Sequence, residues 1–239
     1  MYFLAGTRGG HFAPTTLLNL NFIALRHKGK QMAKVTVVMN PKGGVGKSTL
    51  ATNLAGYYAS RGNAVMLGDV DKQQSSREWL KLRPEQCAPI RSWDIERGKA
   101  AKPPKEATHI VLDTPAGISE KLLEQVIAPA HRVIVPLQAS MLDILATKDF
   151  LEALANDKAV RESDALVGVV GMRVDSRTRS YDELQRFLEG LGLPVLGNLR
   201  NTQNYVQLAA RGLTLFDLNP ARFEQDLEQW KPILKWLEG

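Results

Sequence analysis

The chain of 239 residues is long enough to bury one sizeable core, and its 44% hydrophobic and 23% charged residues are ordinary for a globular protein. Its single cysteine, Cys87, excludes an internal disulfide, a Cys-x-x-Cys site and the paired thiolates of an iron–sulfur carrier. The net charge of +6 is concentrated in residues 1–31, which carry four basic residues and no acid, so residues 32–239 carry only +2. The total charge alone therefore does not indicate a nucleic-acid-binding protein.

Residues 1–31 do not have the pattern of a targeting segment. A secretory signal carries its positive charge before the apolar run, whereas most of the charge here follows the run at residues 17–25. No stretch of the chain approaches the roughly 18–20 apolar residues that span a bilayer. We expect a poorly ordered extension over residues 1–31, which a start site at Met32 would remove, followed by one domain over residues 32–239.

From Met32 onward, short β-rich runs alternate with amphipathic stretches. The predicted strands are Lys34–Met39, Ala64–Gly68, His109–Asp113, Arg132–Leu137, Leu166–Arg173 and Val195–Leu199. The predicted helices between them are Ser48–Arg61, Ser75–Leu82, Glu120–Ala128, Leu142–Asn156 and Tyr181–Leu191. Nearly continuous apolar runs such as Ile110–Leu112 are typical of parallel strands covered on both faces. The pattern predicts an α/β fold, doubly wound, with a mostly parallel sheet and helices on both faces.

The segment Lys42-Gly43-Gly44-Val45-Gly46-Lys47-Ser48-Thr49 lies between the first predicted strand and the first predicted helix. Glycines let such a loop turn tightly and direct several N–H groups at one point, and the helix N-terminus adds partial positive charge there. Lys47 can reach the outer phosphates of a nucleotide, and the Ser48 hydroxyl can ligate Mg²⁺. The context of strand, loop and helix therefore predicts a nucleotide phosphate site, and we call residues 40–49 the phosphate loop.

The last predicted helix runs from Pro220 to about Leu237. Its apolar residues share one face, at Phe223, Leu227, Trp230, Leu234 and Leu237. Such a face suits either a membrane-surface anchor or a helix packed on the core. An anchor requires basic residues on its polar face, and this helix carries four acids against two lysines there, so we expect a core helix and no stable membrane anchor. The lysine- and proline-containing stretch over residues 96–107 is expected to be a surface loop.

The second lysine of the phosphate loop, Lys42, makes it resemble the deviant Walker A motif of the ParA/MinD family of P-loop ATPases, and the resemblance extends through nearly all of residues 33–239. Residues 65–73 resemble the family's Asp-x-Asp-Pro-Gln motif, and residues 111–116 resemble its Walker B motif. Residues 133–140 are similar to the next strand and its exit loop. Residues 199–201 and 205–212 resemble the segments at the edge of the nucleotide and the helix that follows.

This resemblance implies ATP and Mg²⁺ as cofactors and slow Mg²⁺-dependent hydrolysis. Lys42 would reach across a homodimer to the partner's phosphates, and Asp71 would position the attacking water. Asp69 and Asp113 would complete the metal site around Ser48. Lys42, Lys47 and Asp71 are thus the implied catalytic residues, while the nucleotide would be held by Gly43, Gly44, Val45, Gly46, Lys47, Ser48, Thr49, Arg200 and Asn201.

Two positions depart from the family pattern. Lys72 replaces a proline after Asp71, which changes the charge of the segment that follows. Met172 stands where relatives often carry the asparagine that reads the adenine edge. Recognition of adenine would then fall to backbone groups or to the segment at Arg200 and Asn201.

The superfamily also contains reductases, ligases and membrane-bound division-site selectors of the MinD type, and we favour the ParA branch. This branch implies non-specific DNA binding by the homodimer, a ParB-like or cargo-adaptor partner that stimulates hydrolysis, and a cytoplasmic, nucleoid-associated protein. Phosphate contacts need only positive charge. The candidate arginines are Arg173, Arg177, Arg179, Arg200, Arg211 and Arg222. The cargo could be a plasmid or chromosome, or a protein assembly such as a chemoreceptor cluster or a carboxysome. The 31-residue leader is too short for the helix-turn-helix domain of long ParA proteins.

Overall fold

A parallel β-sheet organises the chain in the computed structural model, which describes residues 33–71, 73–94 and 104–239. The strands in these ranges are β1 Lys34–Val38, β2 Val65–Asp69, β3 Ile90–Trp93, β4 His109–Asp113, β5 Arg132–Gln138, β6 Leu166–Val174 and β7 Val195–Arg200. The helices are α1 Lys47–Ser60, α2 Ser75–Lys81, α3 Glu120–Ile127, α4 Met141–Asn156, α5 Lys158–Arg161, α6 Arg179–Gly190, α7 Gln203–Ala209 and α8 Glu224–Glu238.

The strands form one seven-stranded sheet in the order β3-β2-β4-β1-β5-β6-β7, and all six neighbouring pairs are parallel. From β1 the chain passes first to one side of the sheet, where it forms β2 and β3, and then returns to place β4 between β2 and β1. It continues on the other side of β1 with β5, β6 and β7. Strand β1 therefore lies near the centre, between β4 and β5. In open sheets of this kind, ligands bind where the winding direction changes, outside the carboxyl ends of the strands.

Two apolar layers cover the sheet, one on each face. On one face, side chains of α3, α4 and α6 pack in the layer that contains Val35 and Val37 of β1. On the other face, α1, α7 and α8 pack in the layer that contains Val38. Successive side chains of a strand point to opposite faces, and the β1 side chains after the exposed Lys34 are buried on both faces. This arrangement confirms the predicted fold class.

The predicted elements are present with small shifts of their ends, and the prediction missed β3 and α5, while α7 was indicated only by the family resemblance of residues 205–212. The last helix begins at Glu224 because residues Pro220–Arg222 form a short 3₁₀ turn. Trp230, Ile233 and Leu237 on its apolar face are buried, so it is a core helix. Within the ranges that the structure describes, no helix is long and apolar enough to cross a membrane. The predicted extension at residues 1–31, Lys72 and most of the predicted surface loop lie outside the described residues.

Candidate nucleotide-binding site

The phosphate loop connects the carboxyl end of β1 to the N-terminus of α1, and two of its glycines have left-handed backbone conformations. Gly44 has φ 77° and Gly46 has φ 97°, and Gly46 is also the N-cap residue of α1. A side chain at Gly46 would also collide with Met172, since a Cβ atom there would lie 2.7 Å from its Cε atom. Glycine is therefore favoured at Gly46 mainly for its backbone angle, since the end of the flexible Met172 side chain could move to make space.

Side chains from neighbouring elements hold the loop in place. The Asn40 amide donates to the carbonyl of Pro136 on β5 at 2.8 Å, and its Oδ1 accepts from the backbone N–H of Lys42 at 2.8 Å. At the end of β5, the Gln138 amide donates to the carbonyl of Gly44 at 2.8 Å. These bonds preorganise the loop, so its N–H groups need little rearrangement to bind an anion.

Lys47 lies inside the curve of this loop. Its Nζ donates to the carbonyl of Lys42 at 2.7 Å, and the residue is almost fully buried. Burial lowers the pKa of Lys47, while the carboxylates of Asp113 and Asp71 counteract that effect. A buried ammonium between carboxylates and backbone N–H groups is well placed to receive a phosphate, because each phosphate oxygen it binds replaces lost hydration.

The loop opens into a cavity of about 450 Å³, which is within the usual range for small-ligand sites. The residues that line it are Gly43, Gly44, Gly46, Lys47, Ser48, Thr49, Asp71, Gln73, Ser75, Ala116 and Arg173. The structure thus brings together most of the predicted loop residues and Asp71. Val45 is instead buried, and Arg200 and Asn201 do not line this cavity.

Asp113, at the end of β4, is the best candidate for a metal ligand. It is almost completely buried; its Oδ2 accepts from the Ser76 hydroxyl at 2.6 Å, while its Oδ1 has no hydrogen-bond partner. Burial raises the pKa of Asp113 to about 6, and the nearby hydroxyls of Ser48 and Ser76 counteract this rise. An orphaned carboxylate oxygen beside a serine hydroxyl fits Mg²⁺, which binds one or two protein oxygens and keeps its other positions for phosphate and water.

No group of three or more His, Cys, Asp or Glu side chains in the described part of the chain is arranged to hold a metal ion. Asp69 lies beside Asp113 on the neighbouring strand β2. Both of its oxygens accept backbone N–H bonds, Oδ1 from Asp71 at 3.0 Å and Oδ2 from Ser76 and Arg77 at 2.8 and 3.2 Å. Asp69 therefore fastens the segment between β2 and α2, and burial raises its pKa.

Asp71 is half-buried at the rim of the cavity, and its Oδ1 accepts from the backbone N–H of Gln73 at 3.0 Å. Lys42 does not line the cavity. Its Nζ lies 3.6 Å from Oδ1 of Asp143 on α4, and its side chain is 40% exposed. The N-cap residue Ser140 donates to the other oxygen of Asp143 at 2.7 Å. The two lysines of the loop thus have different surroundings, one inside the cavity and one on the surface.

The predicted arginines other than Arg173 have three kinds of surroundings. Arg177 pairs with Asp175 through two bonds of 2.9 Å, and Arg200 pairs with the fully buried Asp226. By contrast, Arg179 and Arg211 are exposed, and their side chains make no hydrogen bond or ion pair with another described residue. The guanidinium of Arg222 lies 5.9 Å from the centre of the Phe223 ring.

The sequence did not single out Ser76 or Asn40, and it grouped Arg173 with the possible DNA contacts rather than with the nucleotide cavity. Ser76 is fully buried and links α2 to Asp113. Its only sequence signal is its place in the first turn of a predicted helix, where serine is common in any case. These roles depend on contacts between segments that are far apart in the chain.

Comparison with known proteins gives a consistent result. A family profile described as the CobQ/CobB/MinD/ParA nucleotide binding domain matches residues 36–215. The maintenance of carboxysome distribution protein A of Halothiobacillus neapolitanus is 25% identical over 189 residues, which cover 76% of this chain and 86% of that protein. The chromosome-partitioning ATPase Soj of Thermus thermophilus is 28% identical over 187 residues, which cover 64% and 73% of the two chains.

Solved structures share the fold. A putative plasmid partition protein of Borrelia burgdorferi bound to AMPPNP superposes with a TM-score of 0.63 at 19% identity, covering 85% of this chain and 99% of that one. A Cyanothece McdA–ATP complex superposes with a TM-score of 0.64 at 17% identity, covering 84% and 96%.

Proposed function

The chain belongs to the CobQ/CobB/MinD/ParA family of nucleotide-binding domains, and from this premise we propose a Mg²⁺-dependent ATPase of the ParA type. In this proposal the protein forms a homodimer around ATP and binds DNA without sequence preference. ATP hydrolysis then separates the dimer and releases it from DNA, and repeated cycles move a cargo. The protein would associate with the nucleoid in its DNA-bound state.

The observation that carries this proposal is the different placement of the two lysines in one phosphate loop. Lys47 lies in the cavity and can serve the phosphates bound by its own subunit. Lys42 lies outside the cavity, and its ammonium is partly exposed in a surface ion pair with Asp143. A surface ion pair of this kind contributes about 1 kcal/mol or less, so Lys42 can leave it for a stronger partner. The phosphates bound to a second subunit would be such a partner.

Nucleotide binding would use the groups already in the cavity. The backbone N–H groups of the loop and Lys47 would hold the outer phosphates, and Ser48 and Asp113 would hold Mg²⁺. When bound, Mg²⁺ would neutralise charge on the transferred phosphoryl group. Asp71 at the rim would orient the attacking water.

The ATPase proposal is tested by steady-state hydrolysis and by equilibrium binding of a fluorescent ATP analogue. We expect Lys47→Ala to lose nucleotide binding, because the buried ammonium is the main charge facing the phosphates. We expect Asp71→Ala to bind ATP like wild type and to lose turnover, because only the water-orienting group is removed. Wild-type turnover in Asp71→Ala would contradict its assigned role.

The dimer proposal is tested by light scattering with ATP in the Asp71→Ala background, where the nucleotide persists. We expect an ATP-dependent dimer that weakens when Lys42 is also replaced by alanine. The single variant Lys42→Ala, in which Asp71 is intact, should hydrolyse little ATP. A Lys42→Ala protein that dimerises and hydrolyses ATP like wild type would refute the cross-subunit role and leave a P-loop ATPase without it.

The DNA proposal rests on Arg179 and Arg211, which are exposed and whose side chains have no partner among the described residues. We expect retention on DNA to require ATP, to ignore sequence and to weaken steeply with salt. Charge reversal at Arg179 or Arg211 should weaken retention equally on all sequences. Arg161→Glu makes the same charge change at an exposed position of α5, before the amino end of β6, and should have little effect. Absence of retention at low salt with ATP would contradict the DNA-binding part of the proposal.

The partner that stimulates hydrolysis determines which cargo is moved. We propose a plasmid or chromosome segment as the cargo, with a ParB-like DNA-binding protein as the partner. A protein assembly is the second candidate, because the Halothiobacillus relative is named for the distribution of carboxysomes. Deletion of the gene separates the two: loss of plasmid or chromosome inheritance supports the first, and a misplaced protein assembly with normal inheritance supports the second.

A further inference from the structure

We propose that Arg173 binds the nucleotide phosphates from within its own subunit, and that a β-bulge in β6 aims its guanidinium into the cavity. This inference rests on the proposed ATP binding. It assigns Arg173 to the nucleotide site and removes it from the possible DNA contacts.

The pairing of β6 with β7 shows the bulge. Gly171 lies opposite Asn198, and Val174 lies opposite Arg200. Two residues therefore separate the paired positions on β6 where one separates them on β7. An extra residue of this kind bends a strand locally and redirects a side chain, and such bulges are common next to active sites.

The bulge places Arg173 in a left-handed backbone conformation, with φ 52°. For a residue other than glycine this conformation costs about 1–2 kcal/mol. A strained residue at the carboxyl end of a strand is a reason to look for a functional contact that offsets the cost.

Within the described part of the chain, no hydrogen bond or ion pair of the Arg173 side chain offsets this cost. Among the described residues, the Arg173 side chain has no hydrogen-bond or ion-pair partner, whereas Arg177 and Arg200 are both paired with carboxylates. Arg173 instead lines the same cavity as Lys47 and Ser48. Its neighbour Met172 packs against Gly46. The bulge therefore sets one residue beneath the loop and turns the next toward the space that the loop encloses.

The chemistry of this space selects the ligand group. Every cavity-lining residue of the phosphate loop offers backbone N–H groups, a hydroxyl or an ammonium, all of which attract anions. A guanidinium adds up to five donors in a planar arrangement that matches phosphate oxygens. Arg173 would bind from the β6 side, while Lys47 binds from the α1 side. The ligand group that fits these donors is therefore a phosphate chain, which would be contacted by both cations that line the cavity.

The test measures equilibrium binding of MgATP, MgADP and inorganic tripolyphosphate to wild type, Arg173→Gln and Arg173→Gly. We expect both variants to lose about tenfold in affinity for all three ligands, as for the loss of one charge-assisted hydrogen bond. Tripolyphosphate has no base, so a lower affinity for tripolyphosphate in the variants indicates a phosphate contact and not stacking on adenine. Arg186→Gln, an exposed arginine change on α6, should bind all three like wild type.

Arg173→Gly also separates binding from folding. Glycine adopts positive φ freely, so this variant should unfold at the wild-type temperature or higher while binding nucleotide less tightly. Normal affinity for all three ligands in both variants would overturn the inference. Loss for ATP and ADP alone would assign the guanidinium to the base, and loss of DNA retention alone would return Arg173 to the DNA surface. If wild type itself binds no nucleotide, the proposed function fails first.

Discussion

The charge of Asp113 is predicted to make the ligand-free protein less stable as pH rises. Burial raises the pKa of this carboxyl from its ordinary value of 3.8 to about 6. Between these values the folded state binds a proton that the unfolded state has lost, so raising the pH favours unfolding. The penalty is absent below about pH 3.5 and complete above about pH 7. The difference between the two pKa values corresponds to roughly 3 kcal/mol at most.

Urea unfolding of wild type and Asp113→Asn at pH 4.5 and pH 8, in EDTA and without nucleotide, measures this penalty. Asparagine keeps the shape and an acceptor for Ser76 but cannot ionise. About 1 kcal/mol of this penalty is already present at pH 4.5, so between the two pH values we expect wild type to lose about 2 kcal/mol of unfolding free energy relative to the variant. Parallel curves for wild type and Asp113→Asn would refute the reasoning.

Bound Mg²⁺ should convert the destabilising charge of the Asp113 carboxylate into a stabilising one. A metal ligand must be ionised, so bound Mg²⁺ turns the buried charge of Asp113 from a cost into an attraction. Wild type should therefore gain more stability from MgATP than from ATP with EDTA, and Asp113→Asn should gain the same from both. Protons compete with Mg²⁺ for the carboxylate, so the metal-dependent part of ATP binding should fade as pH drops through about 6.

Three further outcomes follow from single contacts. Asp143→Asn removes the surface ion pair of Lys42, so the ATP-dependent dimer should form at a protein concentration roughly two- to fivefold lower by light scattering, and an unchanged or weaker dimer would contradict this. Ser76→Ala leaves a buried carboxylate oxygen without its donor, and urea unfolding at pH 8 should show a loss of about 1–3 kcal/mol. A Cβ atom at Gly212 would lie 2.3 Å from the backbone after α2, whereas one at Gly62 meets nothing within 4 Å, and both residues have positive φ. Gly212→Ala should therefore cost clearly more than the roughly 1–2 kcal/mol of strain expected for Gly62→Ala.

The parts of the fold that the sequence predicts are those with a strong local pattern. Strands buried on both faces must be apolar at nearly every position, which is why β4 and β6 are visible in the sequence. The missed strand β3 lies at the edge of the sheet, and only Trp93 of its four residues is buried. Its pattern therefore resembles a loop, because an edge strand has one neighbour to satisfy.

The candidate site divides in the same way. The phosphate loop is predictable because its function requires glycines at fixed places in one short segment. The contacts of Asn40, Ser76 and Lys42 are not, because each joins segments that are distant in the chain. A serine or asparagine near a helix or strand end has many local uses, and only the packed structure selects one.

The arginines show why charge counting could not separate nucleotide contacts from DNA contacts. Their neighbours in space divide them: Arg177 and Arg200 are neutralised by carboxylates, and Arg173 faces the nucleotide cavity. The candidate phosphate contacts left for DNA are Arg179, Arg211 and Arg222. Three contacts correspond to a salt slope near −3 and six to a slope near −5, at about −0.9 per contact. Under the proposed function one subunit therefore binds DNA poorly at physiological salt, and retention requires the doubled contacts of the dimer. ATP would then control DNA binding through dimerisation, without any change in the arginines themselves.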